Sequence, residues 1–302
     1  MILKLTKMFV RYAVVVGAFL KIRQIFSNAD DFLRKKLGKK PILYLLEYHV
    51  AEHCNLKCKG CFHFSNLVQT EQFPSLEKYR ADLLRLSELF GNIRSIRLMG
   101  GEPLLNPQLP LFIQATKEIF PLANIFLLTN GLLYKKINGE LLAAVKLCNV
   151  EVQVSLYKPM ISQKSAMQNY FDQNGLAYSI SQPIQQFAQY INVTGDSNPK
   201  ESVKQCPASR CTFLSNGNIA RCPMPFNISY FTDKINMQQE KINIYDQTLD
   251  GFALKQMLSK PMKACRYCGK LEWFDWQQES CNERQNYKWE YCGNSMLSKS
   301  VQ

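Results

Sequence analysis

The sequence predicts an α/β fold, a parallel sheet or partial (β/α) barrel followed by a small cysteine-rich α+β extension. Three observations lead there. From Pro41 to about Ile180, apolar strand-type runs alternate with segments of helical periodicity, which is the pattern of repeated strand–helix units. The chemically loaded stretches each follow a strand, so they gather at the end of the sheet where such folds place their chemistry. Most of the 11 cysteines fall into two groups, separated by the polar stretch "NVTGDSNPKESVKQ", which reads as a linker.

In order along the chain, residues 1–40 are a basic segment. "YAVVVGAFL" (Tyr12–Leu20) is apolar but far shorter than the roughly 20 residues a spanning helix needs. Lys4, Lys7, Arg11 and Lys21 can share one helical face, so residues 1–26 read as a basic amphipathic helix that rests on a membrane surface or packs on the protein body. "RKKLGKK" (Arg34–Lys40) reads as a solvated linker. "ILYLLEYHV" (Ile42–Val50) is a buried strand. Ser75 caps a helix carrying Tyr79, Leu83, Leu86 and Phe90, which Gly91 stops. "IRSIRLM" (Ile93–Met99) is the second strand. Asn106-Pro107 opens a helix to about Phe120, and "IFLLT" is the third strand. Asn138 opens the next helix, "VEVQVSL" is the fourth strand, a weaker helix follows, and "AYSI" is the fifth strand. After it there is little room for another crossover, which takes about a dozen residues, so the last barrel unit is shortened or altered. Further on, "TFLSNGNIARC" reads as a hairpin about Asn216-Gly217.

The formal charge is +13 and the isoelectric point about 9.2, which suits anionic partners. Three histidines are too few for a histidine-rich metal site. An odd cysteine count in a long chain does not suit a secreted disulfide framework. Grouped cysteines fit metal ligation in a reducing compartment, hence a cytoplasmic protein, with residues 1–26 at the inner face of the membrane.

The first group is Cys54-x3-Cys58-x2-Cys61. Structural zinc takes four protein ligands, and no fourth cysteine is near. An iron–sulfur cube normally takes four thiolates; held by three, it keeps one iron open. With Gly100-Gly101-Glu102-Pro103 after the second strand, this loop resembles the radical S-adenosylmethionine (radical SAM) superfamily. The resemblance covers about residues 42–190, and the second cysteine group extends it to about 292. It implies a partial barrel of the radical SAM type, a [4Fe–4S] cluster on Cys54, Cys58 and Cys61, and SAM bound through the open iron. It further implies reductive cleavage of SAM and hydrogen-atom abstraction from a substrate. Gly100, Gly101, Glu102 and Pro103 would meet the SAM amino group, Glu102 as an anionic acceptor, and Ser155 would meet the ribose or carboxylate. Plain turn and strand-end roles remain open for Gly100-Gly101 and for Ser155. Gly60 stands where many members carry an aromatic residue, with Phe62 or Phe64 as its substitute.

The second group, Cys206, Cys222, Cys265 and Cys268, is similar to the twitch and SPASM extensions that hold auxiliary iron–sulfur clusters. One auxiliary cluster is expected, with Cys211 a rival to Cys206 and a four-cysteine zinc site the plainer alternative. Cys281 and Cys292 are too widely spaced to complete a second cluster. Cys148 reads as an inert buried thiol. The expected domains are residues 1–40, a core at 41–195 and the cysteine-rich domain at 196–302. The function expected is a radical SAM enzyme acting on an anionic carbohydrate or glycan-linked precursor and reduced by a flavodoxin or ferredoxin. The alternatives are a peptide or protein maturase of the same chemistry, or a non-catalytic module binding zinc and nucleic acid. For the N-terminal segment, the full chain should float with anionic liposomes and a chain lacking residues 1–26 should not; equal flotation contradicts the membrane contact.

Overall fold

The structure, a computed structural model, describes residues 29–206 and 211–278. The amphipathic segment 1–26, Cys281 and Cys292 lie outside the described residues. Among the described residues, no helix is long and apolar enough to cross a membrane.

The core alternates as its periodicity requires: β1 (Ile42–Ala51), α1 (Leu76–Leu89), β2 (Asn92–Gly100), α2 (Leu109–Ile119), β3 (Asn124–Thr129), α3 (Gly139–Leu147), β4 (Glu151–Val154), α4 (Lys164–Gln173) and β5 (Tyr178–Ile180). These five strands are parallel neighbours in the order β5-β4-β3-β2-β1. Alternate residues set the two faces. Leu46, Tyr48, Ile96, Leu98, Ile125, Leu127, Val152 and Val154 join Tyr79, Leu83, Phe112, Val145 and Phe171 from the helices in one core. The other face carries the register row Glu47, Arg97, Phe126 and Glu151. Arg97 donates to Glu47 at 2.9 Å.

Ser75 caps α1, its side chain accepting from Lys78 N–H. Asn138 occupies the cap position of α3. The second helix starts later than Asn106-Pro107 suggests, at Leu109 with Pro110 in its first turn. Asn106 instead accepts from Gln108 N–H at 2.7 Å and donates to Val50 O at 2.6 Å, so it ties a turn to β1 rather than capping a helix. Arg34, Lys35 and Lys36 lie in a helical stretch at 29–36, not a linker. Lys255 anchors that stretch through Asp31 at 2.7 Å.

Beyond β5 the barrel departs from simple repetition. β6 (Gln186–Ile191) leaves the sheet and pairs antiparallel with a late strand, while α5 (Pro199–Gln205) follows it. The free edge of β1 is taken by β7 (Phe213–Ser215), parallel to it through Glu47↔Phe213 and Tyr48↔Leu214. β8 (Asn218–Ala220) and β9 (Ile242–Asn243) continue the same sheet antiparallel. The sheet thus runs across the boundary expected at residue 195. The β7–β8 turn uses Asn216 and Gly217 at φ 47° and 74°, the pairing a two-residue hairpin favours. Two helices, α6 (Met224–Phe231) and α7 (Gly251–Ser259), precede β10 (Cys268–Asp275), the partner of β6.

Asp82 on α1 is fully buried and fastens this extension to the core. It accepts from Gly217 N–H and Tyr245 O–H, both at 2.8 Å, and pairs with Lys78. Removing a buried charged acceptor strands its donors, at about 2–3 kcal/mol. Asp82→Ala should therefore lower stability by roughly that amount in urea denaturation; a change within about 0.5 kcal/mol, typical of neutral surface sites, contradicts the fastening role.

Candidate active site

β1 ends at Ala51, and the chain turns directly into the cysteine loop at the C-terminal end of the parallel sheet. Cys54 and Cys61 are half-buried and Cys58 is buried. Loss of water pushes the Cys54 and Cys58 thiols up to about 12 and raises Cys61 as well. Against this, the loop aims donors at sulfur. Leu56 N–H donates to Cys54 Sγ at 3.4 Å and Asn130 Nδ2 at 3.6 Å. The backbone N–H groups of His63, Phe64, Ser65 and Asn66 favour the anionic form of Cys61. Phe64, at φ 56°, lies among them, and successive N–H groups of this kind form an anion-binding concavity. This donor set fits thiolate sulfur better than neutral thiols, and so fits a metal cluster.

The Gly100–Pro103 turn packs against the base of the loop. Gly101 N–H donates to Ala51 O at 2.8 Å and Glu102 N–H to His53 O at 3.1 Å. A Cβ on Gly100 would lie 2.0 Å from Ala51 O, and one on Gly101 2.1 Å from His53 O. Contact with the end of β1 therefore demands both glycines before any ligand is considered. Pro103 is buried at the start of a short 3-10 turn.

Glu102 departs from its expected role as an acceptor for SAM. It is fully buried, and its carboxylate accepts from Thr129 Oγ1 at 2.7 Å, Asn130 N–H at 2.9 Å and Leu104 N–H at 3.1 Å. It joins the end of β2 to the end of β3 and sets Asn130 beside Cys54. Ser155 follows β4 directly, half-buried, with its N–H on Thr129 O at 2.9 Å and its side chain against Tyr157.

Neither Phe62 nor Phe64 replaces the aromatic residue missing at position 60. Phe64 is buried and stacks on Phe231 at 5.7 Å, and Phe62 packs against the same apolar group. The space over Gly60, at φ 71°, is filled from far along the chain: a Cβ there would lie 2.6 Å from Phe274 Cζ. Phe274 sits on β10, and Trp276 just beyond it packs with Cys58 and Leu56. These residues carried no local signal in the sequence; only the β6–β10 pairing brings them to the loop. Asn130, directly after β3, has no local sequence signal for its place beside Cys54.

In the second group, burial raises Cys222, Cys265 and Cys268, Cys268 to about 12. Cys206 and Cys265 add to the rise at both Cys222 and Cys268. Cys211 points elsewhere, its Sγ donating to Glu47 Oε1 at 3.3 Å. Among the described residues, no three Cys, His, Asp or Glu side chains close tightly enough to hold a single metal ion. Cys148 is buried at the end of α3.

The radical SAM superfamily matches residues 48–158, from β1 past Ser155. These residues are similar to a radical SAM domain. A match of this kind indicates an enzyme, with the overall reaction unspecified. Molybdenum cofactor biosynthesis protein 1 of Dictyostelium discoideum is 32% identical over 140 residues, 45% of this chain and 22% of that protein. A GTP 3',8-cyclase of Heliobacterium modesticaldum is 28% identical over 117 residues, 39% of this chain and 36% of that enzyme. The chain thus spans only about a fifth to a third of these relatives' length. Among solved structures, BtrN in complex with AdoMet and 2-DOIA aligns over 76% of this chain and 94% of its own, at 18% identity and a TM-score of 0.46. Native anSMEcpe with bound AdoMet aligns over 76% and 83%, at 15% identity and 0.46.

This region also carries a pH dependence. Burial pushes Glu102 up to about 7 from 4.5, against the pull of its three donors. A carboxyl raised on folding contributes stability that is full below its unfolded value and lost as pH rises through the folded one. From pH 5 to 8, the wild-type protein should lose stability relative to Glu102→Gln, on the order of 3 kcal/mol, in urea denaturation. Parallel pH profiles contradict this.

Proposed function

We propose that the chain holds a [4Fe–4S] cluster on Cys54, Cys58 and Cys61 and uses it with SAM to take a hydrogen atom from a polar, anionic substrate. The observation that carries this reading is the set of N–H donors aimed at buried cysteine sulfur, in a loop fixed to the end of β1. When bound, the cluster supplies the electron that cleaves SAM, whose 5′-deoxyadenosyl fragment abstracts the hydrogen atom. The protein's own part is to orient and exclude water. The Gly100–Pro103 turn and Ser155 border the site beside the loop and offer backbone and hydroxyl groups to the SAM amino and carboxylate ends. Glu102 fixes the spacing between those two edges from within, and Asn130 steadies Cys54.

Cys206, Cys222, Cys265 and Cys268 would hold one auxiliary iron–sulfur cluster in a twitch-like extension. With four thiolates it has no open iron, so it accepts or relays an electron rather than binding substrate. Cys206 is favoured over Cys211 because the Cys211 thiol is engaged by Glu47. The substrate class is a carbohydrate or glycan-linked precursor. Its support is the charge of +13, which suits an anionic partner. A flavodoxin or ferredoxin is the fitting reductant.

Anaerobically reconstituted protein should bind about eight irons per chain, as two cubes, and release 5′-deoxyadenosine from SAM on reduction. Cys265→Ala with Cys268→Ala should remove about half the iron and leave a signal that still responds to SAM. Colourless, zinc-loaded protein that forms no 5′-deoxyadenosine would overturn the proposal.

A further inference from the structure

The residues just past β10 are stitched to the cysteine loop over a separation of more than 200 positions. Lys59 N–H donates to Gln277 O at 3.0 Å, Lys57 N–H to Gln278 Oε1 at 3.2 Å, and Cys58 forms an antiparallel bridge with Gln278. On the other side, Trp276 N–H donates to Gln185 O at 2.7 Å. Trp276 is therefore pinned by backbone bonds from both flanks. Its ring stacks on Tyr157 at 5.7 Å and 22°, and Phe187 meets Tyr157 edge-on at 5.7 Å.

The indole is only 6% exposed, yet its Nε1 has no hydrogen-bond partner. A buried donor in that state bears an uncompensated loss of hydration, so its retention calls for an acceptor. The buried cysteine in its apolar group is Cys58, with the half-buried Cys54 and Cys61 packed against the same group. The other cysteines of the loop receive their donors from backbone or Asn130; beside Cys58, the side chain with an unused donor is Trp276.

We propose that Trp276 donates its indole N–H to the Cys58 thiolate of the assembled cluster and raises the potential at which that cluster takes up its electron. Reduction adds negative charge that spreads onto the cysteine sulfurs, and a donor at one sulfur stabilises the reduced form more than the oxidised form. Trp276 is thus a positioning and tuning residue: it acts through Cys58 and need not touch substrate. The proposal rests on the cluster assignment to Cys54, Cys58 and Cys61.

The test uses full-length, anaerobically reconstituted protein labelled with 15N in the tryptophan indoles. In pulsed EPR of the reduced signal that changes on adding SAM, a 15N coupling is expected. It should persist when Trp273 and Trp289 are both replaced by Phe, and vanish in Trp276→Phe, which keeps an aromatic ring for the Tyr157 stack. In redox titration, Trp276→Phe should need a more negative potential, with the reduced-to-oxidised ratio at fixed poise falling about tenfold, equivalent to about 59 mV for one electron. A SAM-responsive cluster without 15N coupling, or with a coupling that survives Trp276→Phe, overturns this proposal alone. An unchanged midpoint in Trp276→Phe does the same. Absence of any SAM-responsive signal removes the cluster assignment as well.

Discussion

On the proposed cluster assignment, anionic sulfur must be kept stable where water is scarce, and the cysteine end of the sheet is organised around that demand. Burial alone drives Cys54 and Cys58 toward the protonated thiol. Metal ligation needs the thiolate. The loop meets the conflict by giving up backbone N–H groups that would otherwise enter regular structure: Leu56 serves Cys54, and four successive residues after Cys61 serve that sulfur. A loop spending its donors this way cannot also be a strand or helix. Its shape must therefore be held from outside.

That support comes from the strand ends. The Gly100-Gly101 turn lies so close to Ala51 and His53 that no side chain fits between them. Glu102 then reaches inward and gathers three donors from two segments. The expected ligand contact for this carboxylate gives way to an architectural one, and a full set of buried hydrogen bonds explains why. The far edge is finished by the late chain. β7 extends the parallel sheet beside β1, and β10 with the residues after it covers Gly60 and Cys58.

What could be read from the sequence follows the range of the interactions. The strands, the caps at Ser75 and Asn138, and the Asn216-Gly217 hairpin are set by neighbours within a few residues. The cysteine loop and the Gly-Gly-Glu-Pro turn were legible because spacing carries their chemistry. Phe274 and Trp276 were not, since the loop residues they cover, Gly60 and Cys58, lie more than 200 positions away. The inward turn of Glu102 was equally hidden, because a strand-end carboxylate facing a ligand and one facing Thr129 have the same local sequence. The late start of the second helix has a local cause: Asn106 prefers a turn that bonds Val50 to a cap on the helix.

The account centres on one open iron in a cube held at three corners. Mössbauer spectroscopy of 57Fe-reconstituted protein carrying Cys265→Ala and Cys268→Ala, with and without SAM, reads that directly. About a quarter of the iron should change its isomer shift when SAM is added, marking a single site that gains nitrogen and oxygen ligands. A spectrum in which every iron is unaffected by SAM would contradict the account.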